Sequence, residues 1–214
     1  MKIAGSGLLV LLLSISWMSC NNIEEKNSPV SNSSNTKDSL SSIKQESTVN
    51  PYAPVDISPM DISYYPADYP VLKMTNNLTI PPVARVVYSR PHLQGRRLFH
   101  ELLKYDEPWR LGANEATELQ LYRDVTIQNK KIKAGRYVLY CIPQPGKWTI
   151  ILNSNIDSWG LKPDPGKDIA RFEIPALETN RHLEYFTILF EKNNTGANLL
   201  MVWDNLEARL PINF

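Results

Sequence analysis

From Val83 onward the chain is written in short apolar runs of period two, each closed by a turn signal, and that spacing limits the fold more than any other feature. Ala84-Arg85-Val86-Val87-Tyr88 is one run; Leu119-Gln120-Leu121-Tyr122-Arg123 alternates cleanly, and Val125-Thr126-Ile127 continues it. Alternation sends successive side chains to opposite faces, so each run reads as a strand with one buried face. Asn129-Lys130-Lys131 turns the chain, Ala134-Gly135 opens Arg136 to Ile142, and Pro145-Gly146-Lys147 turns it into Trp148 to Leu152. After a Gly/Pro-rich loop from Asn153 to Lys167 come Ile169 to Ile174, Tyr185 to Phe190, Leu199 to Trp203 and Ala208 to Ile212. About eight or nine short antiparallel strands at such intervals describe an all-β fold, a β-sandwich or an open barrel. One short helix is expected at Arg97 to Leu103, where Leu98, Leu102 and Leu103 share a face. A domain spanning 83–214, of about 130 residues, can bury roughly two thirds of its surface and fold alone.

The residues before Val83 follow other rules. Lys2, the apolar run Leu8 to Ile15 and then Ser19-Cys20 make 1–19 a secretory signal. Its core is too short for a bilayer span, which takes roughly 20 residues. Cys20 at that boundary looks like the lipid-acceptor cysteine of bacterial lipoproteins, which makes the lipid bilayer a partner. Asn21 in the following position, rather than Asp, points to the outer membrane, on its periplasmic or surface face. Segment 20–50 carries eight serines between Ser28 and Ser47, too little apolar surface to offset chain entropy, and reads as a disordered tether. Segment 51–82 interleaves seven prolines with Tyr52, Tyr64, Tyr65 and Tyr69 and reads as an extended strap lying against the domain. With Cys20 lipidated, Cys141 is a lone buried thiol on a strand. Lys and Arg total 23 against 22 Asp and Glu, so no global charge recruits nucleic acid.

Between the first two strands lies Tyr88 to Thr117, which packs four Arg, two His, one Trp, one Asn and three Glu into 30 positions. Arg90, Arg96 and Arg110 sit in connecting segments, and guanidinium forks match carboxylate or phosphate oxygens. Trp109 offers a stacking face, and Gly112 permits a tight turn that leaves Asn114 to hydrogen-bond locally. Glu115, at the start of the next strand, is a carboxylate available for acid or base work. Glycoside hydrolysis needs a second carboxylate, with Glu101, Asp106 and Glu107 the candidates. His92 with Glu115 supplies two positions of a metal site and lacks a third, so no metal is expected and no cofactor motif is present. Trp148, Tyr137, Phe186, Phe190 and Trp203 are assigned to the core.

Tyr88-Ser89-Arg90-Pro91, Gly95-Arg96, Trp109-Arg110, Gly112 to Thr117, Ala134 to Tyr137, Ile142-Pro143 and Trp148 to Ile151 occur in this order. Together they closely resemble the bacterial family catalogued as domain of unknown function 2911, over about Val83 to the C-terminus. The resemblance implies export, often as a lipoprotein, and implies that Arg90, Trp109, Arg110, Asn114 and Glu115 belong to a shared motif; it implies no reaction. Gln94 and Leu111 stand where family members often have Lys and Thr.

Three functions are open at this point. The residues favour a non-catalytic binding module in which Arg90, His92, Arg96, Trp109, Arg110, Asn114 and Glu115 recognise an anionic or sugar-like ligand. A hydrolase would use Glu115 with a second carboxylate or His92. A structural protein of the cell envelope would use the same cluster as an ion-paired plug. The sequence assigns no oligomeric state.

Overall fold

The computed structural model describes residues 57–76 and 78–214. The signal segment, Cys20, the tether and positions 51–56 of the strap lie outside the described residues. Among the described residues nine strands form one antiparallel sheet: β1 (Met60–Tyr65), β2 (Ala84–Ser89), β3 (Thr117–Leu121), β4 (Val125–Ile127), β5 (Lys130–Ile132), β6 (Gly135–Gln144), β7 (Lys147–Asn153), β8 (Asp168–Lys192) and β9 (Gly196–Asn213). Their spatial order is β1-β2-β3-β6-β7-β8-β9-β4-β5. The chain is all-β, as the period-two runs require.

β8 decides the overall architecture. Its first part pairs with β7 through Asp168 to Pro175, and its second pairs with β9 from Ala176 to Lys192, with register shifts between Glu178, Leu183 and Thr187. One strand thus leaves one half of the sheet and enters the other, turning the corner through irregular register, as bulged strands do. The second half of β8 then returns to the opposite edge of the sheet. Phe186 N–H donates to the Pro91 carbonyl at 2.9 Å and Leu93 N–H to the Glu184 carbonyl at 3.1 Å. Phe190 N–H donates to Ser63 Oγ on β1 at 3.3 Å. The rolled sheet is an open barrel, and the strand pairs Ile169 to Ile174 with Tyr185 to Phe190, and Leu199 to Trp203 with Ala208 to Ile212, are each one continuous strand.

Inward residues follow the alternation. Ala170, Phe172, Ile174 and Ala176 of β8 are buried while the residues between them are exposed. Trp148, Tyr137, Phe186, Phe190, Trp203 and the free Cys141 all lie in the core. Burial pushes the Cys141 thiol well up from its ordinary value, the state of an inert core thiol.

Two local expectations need correction. The strap is not simply extended. Its Met60–Tyr65 is β1, paired residue for residue with β2, and Tyr69–Asn76 is a helix, α1. Pro70 falls in the first turn of α1, where a missing N–H costs nothing, and buried Tyr69, stacked on Tyr64 at 5.7 Å, fastens the helix down. Arg97 to Leu103, by contrast, forms no regular helix. Phe99 is extended, His100 takes φ 143, and Leu103 N–H reaches back to the Leu98 carbonyl. Leu98 and Leu103 are both buried. Residues five apart do not share a face of an α-helix, whereas one wide five-residue turn brings both inward.

Candidate functional site

The stretch from Tyr88 to Thr117 is anchored at Trp109. β3 pairs with β6 only as far as Leu139. Beyond it the freed edge of β6 is taken up by Asp106 to Trp109. Asp106 N–H donates to the Pro143 carbonyl, and Trp109 and Cys141 exchange both backbone hydrogen bonds at 2.7 Å. The Trp109 indole, 8% exposed, stacks on Trp203 at 5.6 Å and meets Phe186 and Trp148 edge-on at 4.8 and 6.0 Å. Its Nε1–H donates to the Gly112 carbonyl at 3.2 Å. Trp109 is therefore a core residue packed among three other aromatic rings, not an open stacking platform.

After Trp109 the chain turns tightly. Leu111 and Asn114 adopt left-handed backbone at φ 51 and 57, and Thr117 Oγ1 donates to the Leu111 carbonyl at 2.6 Å. A Cβ on Gly112 would lie 3.0 Å from the Ser89 carbonyl oxygen, so the position is spatially closed to a side chain. Asn114 Nδ2 donates to the Ser58 carbonyl at 3.5 Å.

The other candidates are dispersed. Arg90 stitches β2 to β8: its Nε donates to the Phe186 carbonyl at 3.2 Å, its Nη2 to Thr187 Oγ1 at 2.9 Å, and its Nη1 stands 3.5 Å from Asp61. His92 stacks on Tyr185 at 5.1 Å with Nδ1 3.8 Å from Glu184. Arg96 closes its own loop onto the Leu93 and His92 carbonyls. Arg110 donates to the Trp159 carbonyl at 3.1 Å and sits 5.9 Å from that ring's centre. Arg110 and Glu115 pair neither with each other nor with any other charged side chain among the described residues, so they do not form an ion-paired plug. The three carboxylates considered as partners for Glu115 are engaged elsewhere: Glu101 with Arg97, Glu107 with Lys104, and Asp106 with Gln144.

Glu115 alone of the seven lines a groove of about 380 Å3, with Met60, Glu118, Arg136, Asp157 and Trp159. The last four escape sequence reading because they are far apart in the chain. Arg136 lies opposite Gln120 in the β3–β6 register, hence diagonal to Glu118 on one face of the sheet. Its guanidinium reaches both Glu118 oxygens at 2.8 and 2.9 Å and Asp157 Oδ1 at 3.1 Å, and these bonds raise the Arg136 pKa. Trp159, 56% exposed, projects from the loop after β7. Gly160 beside it has φ +76, and a Cβ there would lie 2.7 Å from the Ala116 Cβ, so this loop is seated tightly despite its exposed tryptophan. The groove holds three carboxylates against one guanidinium, a net of −2. No group of three or more His, Cys, Asp or Glu able to hold a metal occurs among the described residues, nor does a helix long and apolar enough to cross a membrane.

Residues 74–212 match the model of a family described as protein of unknown function, DUF2911. The chain belongs to this family. The DUF2911 match starts within α1 and runs through β9, so it contains every groove residue except Met60 of β1. No curated protein and no solved structure matches the chain.

The groove floor also carries Tyr88. Its hydroxyl donates to Asp61 Oδ2 at 3.2 Å, and burial pushes its pKa up to about 12 against the opposing effect of a bond from the Ile188 N–H. Tyr140, held by Asp168, is likewise pushed up to about 12, chiefly by burial. A phenol raised in the folded state stabilises fully below its unfolded value near 10 and loses that contribution as pH climbs toward 12. Urea midpoints are therefore expected to fall between about pH 10 and 12, and Tyr88→Phe should flatten that fall. An unchanged slope in the variant would show that Tyr88 ionises as freely folded as unfolded.

Proposed function

We propose that this DUF2911 protein is a non-catalytic binding protein of the bacterial cell envelope whose groove takes a sugar-like, uncharged polyhydroxyl ligand. One observation carries the reading: an exposed Trp159 ring stands beside an unpaired Glu115 and the Glu118–Arg136–Asp157 network in one groove. A sugar offers an apolar ring face to an aromatic and hydroxyls to charged acceptors and donors, the mixture that small-molecule sites combine. The groove's net negative charge weighs against an anion at this position. Glu118 and Asp157, the other carboxylates of the groove, are both bonded to Arg136, which favours binding over a two-carboxylate hydrolytic mechanism. His92 lies against Tyr185 and Glu184 and does not line the groove.

The protein is proposed to be exported through its N-terminal signal and held on the outer membrane by lipid on Cys20, with 21–50 as the tether. Cys20→Ser should move the protein from the membrane fraction to the soluble one and abolish labelling by a palmitate analogue. Continued membrane labelling of that variant would remove the anchor from the account.

For the groove, purified protein titrated with neutral and acidic mono- and oligosaccharides should show saturable chemical-shift changes with a neutral member. Trp159→Ala should weaken that binding at least tenfold, about 1.4 kcal/mol, while an exposed position leaves stability nearly unchanged. Equal binding by the variant, or no response to any neutral sugar, contradicts the assignment.

A further inference from the structure

The loop that delivers Asp157 and Trp159 to the groove continues through Gly160 and Leu161 into a second cavity of about 250 Å3, which shares no lining residue with the first. Its lining is mixed: the side chains of Leu102 and Leu103 from the wide turn, Trp109, Trp203 and Leu161, 65% exposed at the rim, stand beside Arg110 and the backbone of Gly112 and Gly160. Among the described residues Arg110 is the one charged residue lining it. A guanidinium carries five N–H donors. Arg110 spends one on the Trp159 carbonyl, and no carboxylate among the described residues lies within ion-pair distance of it. Burial lowers its pKa, as expected of a cation partly stripped of water with no anion supplied in return.

The root of this side chain is fixed. Trp109, its neighbour, is locked to Cys141 by two backbone bonds, and a Cβ on Gly160 would come within 3.0 Å of the Arg110 Cβ, so the loop above it has no slack. A partly buried cation beside apolar side chains is costly to leave unpaired, and a planar fork matches the two oxygens of a carboxylate.

We propose that this cavity binds a small organic carboxylate with an apolar body, the carboxylate on Arg110 and the body against Leu102, Leu103, Trp109 and Trp203. The chamber corresponds to roughly eight water volumes at about 30 Å3 each, which suits a short acyl chain or a single aromatic ring. This site is independent of the groove, and failure of sugar binding there leaves it standing.

Octanoate is the probe, with octanol and octyltrimethylammonium as neutral and cationic controls of similar body. Titration of the purified protein, followed by calorimetry and tryptophan emission, should give saturable octanoate binding, with both controls at least tenfold weaker. Arg110→Ala and Leu161→Glu should each weaken octanoate at least tenfold, and Glu115→Gln should not. Because Arg110 also holds the Trp159 carbonyl, Leu161→Glu is the variant that decides: it places a like charge at the rim and leaves Arg110 and its hydrogen bond in place. Absence of saturable octanoate binding, equal binding of all three probes, or unaltered octanoate binding in Leu161→Glu would overturn the proposal.

Discussion

The paired backbone bonds between Trp109 and Cys141 fix the position of everything chemically distinctive in this molecule. They convert the middle of a 27-residue connection between β2 and β3, positions 90–116, into an added rung on β6. The indole then fills the space between Trp148, Phe186 and Trp203. Truncating a buried aromatic of this size typically costs about 3–5 kcal/mol, a large part of the roughly 5–15 kcal/mol that holds a domain folded. The polar residues around Trp109 are thus carried on a segment that is as firmly held as a strand.

What those residues do follows from which of them retain unused bonding capacity. Arg90 and Arg96 spend theirs on carbonyls, a threonine hydroxyl and Asp61. Arg136, which lies outside the stretch, spends its own on Glu118 and Asp157. Arg110 and Glu115 are left, and they end up in different cavities, one with several apolar side chains and one acidic and aromatic. Trp159 lies between them, its carbonyl held by Arg110 and its ring beside the groove that Glu115 lines. A single loop, kept in place by the contact of Gly160 with Ala116 and Arg110, therefore serves two sites of opposite chemistry.

The strands were legible in the sequence because burial on one face imposes period two. β3, β6 and β7, the core aromatics and the buried Cys141 all follow from that rule. The strap was legible only as something that lies against the domain, because its prolines hide the alternation of Met60 to Tyr65 and Pro70 reads as a helix breaker when it stands in a first turn. The wide turn at Leu98 to Leu102 mimics helical spacing over too few residues to distinguish five-residue closure from four. Trp109 was misassigned because its neighbours Pro108 and Arg110 look like loop, while its partner Cys141 is 32 positions away. Grouping the arginines with Glu115 failed for a similar reason: closeness along a connecting segment says little about convergence in space. Glu118, Arg136, Asp157 and Trp159 meet only through cross-strand register and a loop return, and no local pattern announces them.

The central claim is that the Trp109 segment belongs to the cooperative core, and native-state amide hydrogen exchange tests it most directly. The Trp109 and Cys141 amides, each bonded to the other's carbonyl, should exchange only through global unfolding, with the same opening free energy as the interior of β6 and β7. Exchange of the Trp109 amide at the rate of an exposed loop, while those strands stay protected, would contradict the account.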